Sequence, residues 1–153
     1  MTLNTKESAS ITPVLENTVF SHGTMECSDP IKTQKFVSEF LGLHSVRKSS
    51  VTQYVWSGGS WFVVCLNMNE RFEPRQSEDY RFALLVGSAE EVEQAQAAAV
   101  EQKEKWEMLE VRDVVRTDDK VSFNLRDLNG AWWEIYWKPD DAAPLYDDIF
   151  AST

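Results

Sequence analysis

The chain has 153 residues and a mass of 17.6 kDa, which suits one domain or two small halves that share a core. Hydrophobic residues make up 42% and charged residues 26%, ordinary globular values that exclude intrinsic disorder and low-complexity scaffolds. A formal net charge of -10 argues against nucleic acid and anionic membranes as partners, because their phosphates would be repelled.

The sequence predicts a cytoplasmic protein without a membrane span. Its apolar runs are far shorter than the roughly 20 residues that cross a bilayer, and residues 1–10 lack the apolar segment of a signal peptide. Cys27 and Cys65 are expected to be reduced strand residues, since no CxxC motif or Cys/His cluster offers a zinc site. With only two histidines, the chain cannot supply three imidazoles to one metal.

The first half of the chain reads as βαβββ. Residues 1–17 lack apolar periodicity and are interpreted as an extended arm. A strand is predicted over 19–27; then Asp29 as N-cap and Pro30 at the first helical position begin a helix that ends near Gly42. Three short strands are predicted next, at 44–48, 52–56 and 60–67.

The second half repeats this order. A strand is predicted over 79–86, and Ser88 with Glu91 forms a capping box that begins an alanine-rich helix running to about Lys105. Three more strands are predicted, at 110–116, 121–126 and 131–137. The two modules are therefore bounded at 18–67 and 79–137, with a linker at 68–78 and a C-terminal tail at 138–153.

The repeated order suggests an internal duplication, although two α+β halves can also match by chance. His22 precedes the cap of the first helix by as many residues as Arg81 precedes the cap of the second. The segment GSWFV of the first half matches GAWWE of the second, which aligns Val63 with Glu134.

Three segments carry a resemblance to a known family: HGTMECSD from His22, FVSEFLGL from Phe36, and FNLRDLNGAWWEI from Phe123. In this order they resemble the vicinal oxygen chelate superfamily of glyoxalases, bleomycin-resistance proteins, fosfomycin-resistance enzymes and extradiol dioxygenases. The resemblance implies an α+β fold in which two βαβββ modules form a curved eight-stranded cup. It also implies a homodimer and a divalent metal such as Fe, Mn, Ni or Zn.

Carried over by position, the metal-binding positions of the family fall on His22, Val63, Arg81 and Glu134, of which only His22 and Glu134 can coordinate. Glu134 alternates with aromatic residues on one strand face, and such a carboxylate needs a metal, a cation or a proton as its partner. Two interpretations stay open. Either His22 and Glu134 hold a metal, or Arg81 pairs with Glu134 and puts a fixed positive charge in its place.

Two functions of different class also stay open. The first is a lyase, isomerase or ring-cleaving oxygenase that acts on an oxygenated substrate, aromatic substrates included, through an enolate-like or phenolate-like intermediate, with His22, Arg81 and Glu134 as catalytic residues. The second is a metal-free protein, like the bleomycin-resistance group, that binds a planar molecule without chemistry. In both, these side chains are expected to line the cup: Tyr54, Trp56, Trp61, Cys65, Trp132 and Tyr136.

Overall fold

The computed structural model describes residues 21–57, 62–68 and 76–139. The first module contains β1 (His22–Cys27), α1 (Pro30–Lys35), a π-helical turn (Phe36–Phe40), β2 (His44–Arg47), β3 (Thr52–Trp56) and β4 (Phe62–Asn67). The second contains β5 (Arg81–Leu85), α2 (Ala89–Glu101), β6 (Glu110–Val111), β7 (Val115–Arg116), β8 (Val121–Arg126) and β9 (Trp132–Trp137). The predicted arm at 1–17, Trp61, most of the linker and nearly all of the tail lie outside the described residues. Among the described helices, none has the length and apolar character needed to cross a membrane.

The two modules have the same strand order. Sheet 1 runs β1-β4-β3-β2, and sheet 2 runs β5-β9-β8-β6, with β7 also paired to β8. In each sheet the first strand pairs in parallel with the last, and the remaining pairs are antiparallel. This repeat confirms the predicted α+β fold of two βαβββ modules.

The helix of the first module begins as its sequence predicts and ends in a wider turn. The Asp29 carboxylate accepts hydrogen bonds from the backbone N–H groups of residues 31 and 32, both at 3.0 Å, and Pro30 takes the first helical position. Beyond α1, the Leu41 N–H donates to the Phe36 carbonyl at 3.2 Å, five residues back. Gly42 then stops the helix with a φ of 68°.

The helix of the second module also begins at its predicted cap. The Ser88 hydroxyl accepts from the Glu91 N–H at 3.1 Å, while the Glu91 carboxylate accepts from the N–H of Gly87 at 3.0 Å rather than from that of Ser88. The helix ends at Glu101, short of the predicted Lys105, because the following residues form turns that bury an indole in the core.

The strand predicted over 110–116 is two short strands, because one extra residue interrupts the ladder. β6 pairs Val111 with Leu125, whereas β7 pairs Val115 with Ser122. Three residues of the edge strand therefore lie opposite two of β8, which is a β-bulge.

Both sheets turn one face toward a single shared core. Sheet 1 contributes Met25, Cys27, Val55, Val63 and Cys65 to this core, and sheet 2 contributes Phe123, Leu125, Trp133 and Ile135. The alternate residues form the opposite face of each sheet, which we call the open face. On sheet 1 the open face carries His22, Thr24, Tyr54, Trp56, Phe62 and Val64. On sheet 2 it carries Arg81, Ala83, Ser122, Asn124, Trp132, Glu134 and Tyr136.

A buried turn between β8 and β9 joins the two modules. The Asp127 carboxylate accepts hydrogen bonds from the N–H groups of Asn129 and Ala131, at 2.8 and 3.0 Å, and from the indole N–H of Trp133 at 2.9 Å. The Asn129 side chain donates in turn to the hydroxyl of Thr33 in α1 at 2.9 Å. The turn is thus tied to the first helix by hydrogen bonds that are shielded from water.

Candidate functional site

Two cations hold one carboxylate on the open face of sheet 2. The Arg81 Nε donates to one oxygen of Glu134 at 3.2 Å, and the Lys120 Nζ donates to the other oxygen. The Glu134 side chain is only 10% exposed, while those of Arg81 and Lys120 are each 32% exposed. We call these three residues the clamp. The carboxylate is therefore sheltered, and each cation keeps part of its surface in contact with solvent.

The strand ladders explain how the clamp assembles. Arg81 begins β5 opposite Trp132, and the next residue on the same face, Ala83, lies opposite Glu134. The small alanine side chain leaves room for the guanidinium to reach the carboxylate. Lys120 directly precedes β8 and approaches Glu134 from the other side of β9.

The charge state of Glu134 follows from these contacts. Burial raises the pKa of its carboxyl group, but the hydrogen bonds from Lys120 and Arg81 outweigh that effect, so the pKa lies below its usual value. Glu134 is accordingly an anion near neutral pH. The stabilisation from these pairs is present above the ordinary pKa of a glutamate and is lost as the pH falls through the lowered value.

The remainder of this open face is also charged. The Glu78 carboxylate accepts hydrogen bonds from Asn124 at 3.0 Å and Arg112 at 3.1 Å, which lower its pKa. The guanidinium groups of Arg112 and Arg126 lie 5.5 and 5.9 Å from the ring centre of Trp132. This face therefore carries charges of both signs: the cations Arg81, Arg112, Lys120 and Arg126, and the carboxylates Glu78, Glu110 and Glu134.

The open face of sheet 1 is aromatic. The ring of Phe62 stacks with the His22 imidazole at 5.1 Å on one side and contacts Tyr54 at 5.1 Å on the other. At the end of the same face, Trp56 packs against His44 with ring centres 5.5 Å apart. We call His22, Phe62, Tyr54 and Trp56 the aromatic strip. Its partly exposed rings provide flat apolar surface.

Within one chain, His22 makes no contact with the clamp. Among the described residues, no hydrogen bond, ion pair or ring contact joins His22 to Arg81 or Glu134. His22 is exposed, and its Nδ1 lies 2.9 Å from the hydroxyl of Ser21. Of the three predicted catalytic residues, a single chain therefore brings only Arg81 and Glu134 together.

Two clefts lie along the edge of β5. The one that touches the clamp has a volume of about 350 Å³ and is lined by Trp56 and Arg81, together with core residues such as Val63 and Trp133. The larger one, of about 590 Å³, lies between the π-helical turn, β5 and α2, and of the predicted site residues that the structure describes only Tyr136 lines it. The larger of the two clefts is therefore not the one that touches the clamp. The clamp is the better candidate site of the two because of its charged groups.

Comparison with solved structures identifies the architecture. FosX, the fosfomycin resistance protein of Listeria monocytogenes, aligns with a TM-score of 0.62 at 15% identity, over 84% of this chain and 99% of FosX. A glyoxalase/bleomycin resistance protein/dioxygenase from Alicyclobacillus acidocaldarius aligns with a TM-score of 0.58 at 17% identity, over 84% of this chain and 97% of that one. The lactoylglutathione lyase of Agrobacterium tumefaciens aligns with a TM-score of 0.57 at 15% identity, over 79% of this chain and 94% of the lyase.

The protein has the vicinal oxygen chelate fold. Identities this low establish the fold alone. The sequence matches no family model and no curated protein.

The ladders correct one position of the vicinal oxygen chelate alignment. His22 lies opposite Phe62, and Arg81 lies opposite Trp132, so His22 and Arg81 are equivalent as predicted. Glu134 lies two residues beyond Trp132, and Val64 lies two residues beyond Phe62. The equivalent of Glu134 is therefore Val64 and not Val63. A shift of one residue exchanges the faces of a strand, which is why Val63 lies in the core at 4% exposure.

The same register places Cys65 outside the cup that it was predicted to line. Cys65 lies on the core face of sheet 1 and is fully buried, and burial raises the pKa of its thiol to about 12. Both cysteines are free, as expected. By contrast, Trp132 and Tyr136 lie on the open face of sheet 2 beside Glu134, and Tyr54 and Trp56 lie on that of sheet 1. Trp61 lies outside the described residues.

The donor set does not fit the metal centre of a vicinal oxygen chelate enzyme. A mutant of FosX has been solved with Mn(II) and 1S,2S-dihydroxypropylphosphonic acid. In this chain, both oxygens of Glu134 bind cations, Arg81 has no lone pair to donate, and Val64 offers no donor atom. The part of the chain that the structure describes contains no group of three or more His, Cys, Asp or Glu side chains placed to hold a metal ion.

Lys120 is the functional candidate that the sequence analysis missed. A signal for it existed in the hairpin that Asn129 and Gly130 form, because counting back from the turn places Asn124 opposite Glu134. Alternation then puts Lys120 on the same face as Asn124 and Glu134. Counting back from the turn to Lys120 is valid only if β8 has no bulge, and the sequence carries no signal that decides this.

Proposed function

We propose that the protein binds a planar, oxygenated small molecule without a metal ion, in a cup that two copies of the chain form together. The observation that carries this proposal is that equivalent positions of the two modules bear complementary groups. His22 belongs to an aromatic strip, and its counterpart Arg81 belongs to a two-cation clamp. Together they offer flat apolar contact for the body of a ligand and positive charge for its oxygens.

The aromatic strip supports a planar ligand. Tyr54 and Phe62 contact one another and are only partly buried, so their rings leave apolar surface uncovered. Apolar surface of this kind on a sheet is usually covered by a ligand or by another chain. A flat molecule that stacks on the strip would remove that surface from water at small entropic cost.

Two features support a homodimer. Among the residues that the structure describes, no hydrogen bond, ion pair or ring contact joins the aromatic strip to the clamp, and Trp56 is the one strip residue that shares a cleft with Arg81. In addition, β1 and β5 are the edge strands of sheets with the same order, so each leaves one edge available for pairing. A twofold dimer that places β1 of one copy beside β5 of the other would bring the strip of one chain toward the clamp of its partner.

Binding of a planar probe tests the proposal. We expect 2-naphthoate to bind the wild-type protein in the presence of EDTA, as measured by isothermal titration calorimetry. Tyr54→Ala should weaken binding about tenfold, because it removes one ring of the strip. Tyr80→Ala, which truncates a tyrosine that is 61% exposed and outside the strip, should leave the affinity unchanged. Absence of binding to the wild type, or an equal loss in both variants, would contradict the proposal.

Mixing variants tests whether the cup is shared between subunits. Tyr54→Ala damages the strip and Arg81→Met damages the clamp, so each homodimer should bind 2-naphthoate poorly. A mixed dimer has one cup in which both walls are intact. Random exchange of equal amounts should therefore restore about a quarter of the wild-type sites. Sedimentation should show twice the chain mass of 17.6 kDa. A monomer, or no recovery after verified exchange, would place the site within one chain.

An enzyme of the lyase, isomerase or ring-cleaving type is the second candidate, with His22, Arg81 and Glu134 as its catalytic residues. One observation favours it: two cations fixed at one carboxylate can stabilise the negative charge that develops on an enolate or phenolate oxygen. In that function Glu134, an anion near neutral pH, would be the acid/base residue, and a weak base because the two cations lower its pKa. NMR spectra of the probe during the binding experiments distinguish this candidate, because turnover produces new resonances and simple binding does not.

A further inference from the structure

We propose that Arg81 and Lys120 bind a carboxylate group of the ligand, and that Glu134 is the internal counter-ion that positions these two cations and limits the affinity of the site. The inference rests on the proposed small-molecule function and assigns to it a class of ligand: planar carboxylates. It also gives a role to Lys120, which lies outside the metal-binding positions that the family resemblance implies.

The clamp already shows how it binds a carboxylate. Arg81 and Lys120 each donate to a different oxygen of Glu134, so the two cations are spaced to receive the two oxygens of one carboxylate group. Hydrogen bonds between cations and carboxylates are the stronger kind in proteins. A ligand carboxylate that lies over the clamp would meet the remaining N–H donors of the same two cations.

Both cations have capacity left for a ligand. In addition to its bond with Glu134, the Arg81 guanidinium donates once to the backbone carbonyl of Glu78, and a guanidinium has five N–H donors. The Lys120 ammonium has three donors, of which one serves Glu134. Each of these side chains is about one-third exposed, whereas the Glu134 carboxylate lies beneath them at 10% exposure.

The charges of the clamp do not balance. Two cations share one carboxylate, so the clamp itself has one positive charge in excess. The Glu78 carboxylate also interacts with Arg81, but it accepts its side-chain hydrogen bonds from Asn124 and Arg112. Glu134 nevertheless repels an incoming anion at short range. Its removal should therefore raise the affinity for a carboxylate and leave the affinity for a neutral analogue unchanged. A metal ligand would behave in the opposite way, because its loss would weaken a metal-dependent site.

Tyr136 gives the ligand a direction. It lies two residues beyond Glu134 on the same face of β9 and is only partly buried, and the Lys120 ammonium lies 5.9 Å from the centre of its ring. Trp132, on the other side of Glu134, is 4% exposed and lies against Arg112 and Arg126. If the carboxylate of a ligand binds to the clamp, the ring to which that carboxylate is attached can therefore contact an aromatic side chain of the protein. This favours a carboxyl group attached directly to a planar body.

The test compares 2-naphthoate with the neutral naphthalene-2-carboxamide by calorimetry at low ionic strength. Glu134→Gln keeps the shape of the side chain and removes its charge, so we expect it to bind 2-naphthoate at least tenfold more tightly than the wild type. Lys120→Met and Arg81→Met should each weaken 2-naphthoate binding at least tenfold, and Lys120→Arg should retain binding within threefold. Lys35→Met, which removes an exposed lysine of α1, is the matched control. Affinity for the carboxamide should stay the same in all variants.

The outcomes separate this inference from the proposed function. If both probes bind with equal affinity, and the clamp variants change neither, the clamp inference is wrong while the planar-ligand proposal survives. If neither probe binds the folded wild type or Glu134→Gln, both are wrong. Weaker binding of 2-naphthoate to Glu134→Gln also contradicts the inference, since Glu134 would then contribute to ligand binding instead of opposing it. Circular dichroism establishes that each variant is folded.

Discussion

Replacement of Asp127 by alanine is expected to lower the free energy of unfolding by roughly 3–5 kcal/mol, the largest loss from any single polar substitution described above. The carboxylate is fully buried and accepts hydrogen bonds from two backbone N–H groups and from the indole of Trp133. Alanine would leave these donors without a partner and away from water. Urea denaturation followed by tryptophan fluorescence measures the effect.

Asp127→Asn is the matched control. An asparagine oxygen can still accept from the N–H groups of Asn129 and Ala131. Its NH2 group, however, would face the indole N–H of Trp133, and two donors cannot form a hydrogen bond with each other. We expect a loss of about 1–2 kcal/mol, clearly less than that of the alanine variant. Equal stability of wild type and Asp127→Ala would show that the turn is not held by these bonds.

Asp127 also makes the stability of the fold depend on pH, in the direction opposite to that of a carboxylate with a lowered pKa. Burial raises the pKa of its carboxyl group from 3.8 to about 6, against the lowering effect of its hydrogen bonds. The folded protein therefore takes up a proton between these two values while the unfolded chain does not, and acidification in this window stabilises the fold. Relative to Asp127→Asn, the wild type should gain about 2 kcal/mol between pH 7 and pH 4. Loss of stability relative to the variant would contradict the raised pKa.

Phe36→Ala should cost a similar amount, about 3–5 kcal/mol, through loss of packing. The Phe36 ring is fully buried, stacks on Phe40 at 5.5 Å, and meets the edge of Trp106 at 6.2 Å. Since Trp106 belongs to the second module, the substitution opens a cavity at the contact between the two modules. Phe36→Leu retains most of the volume and should lose only about 1 kcal/mol.

Unfolding followed by two probes checks this expectation. Because both modules contribute to one core, fluorescence and far-UV circular dichroism should report the same single transition in the wild type and in Phe36→Ala. Two separate transitions in the wild type would mean that the modules fold independently. The packing argument for the large loss would then be wrong.

The fold was predictable because its signals are local. Asp29 with Pro30 begins a helix through chemistry within four residues, and Gly42 ends it by adopting a positive φ of 68°. Gly130 has a φ of 77° in the turn between β8 and β9, and the dipeptide Asn129-Gly130 is typical of such a hairpin turn. Each signal depends on residues adjacent in sequence, and the repeat of the same order in both halves was visible for that reason.

The candidate site was predictable only in part, because its geometry depends on strand register. The pairing of Arg81 with Glu134 is one of the two interpretations that the sequence leaves open, and the structure places these side chains in contact. The alignment of Val63 was wrong by one residue, since register is set by hydrogen bonds between strands that are distant in sequence. Lys120 was missed because its contact with Glu134 crosses a hairpin. The β-bulge between β6 and β7 likewise has no signal of its own in the sequence.

The separation of the core from the open faces has a consequence for which substitutions the fold tolerates. Side chains at equivalent positions on the two open faces, such as His22 and Arg81, differ in charge and shape, yet the strand order around them is the same. The residues that hold the modules together point the other way. A substitution on one open face can therefore change the chemistry of that face without disturbing the core or the other sheet.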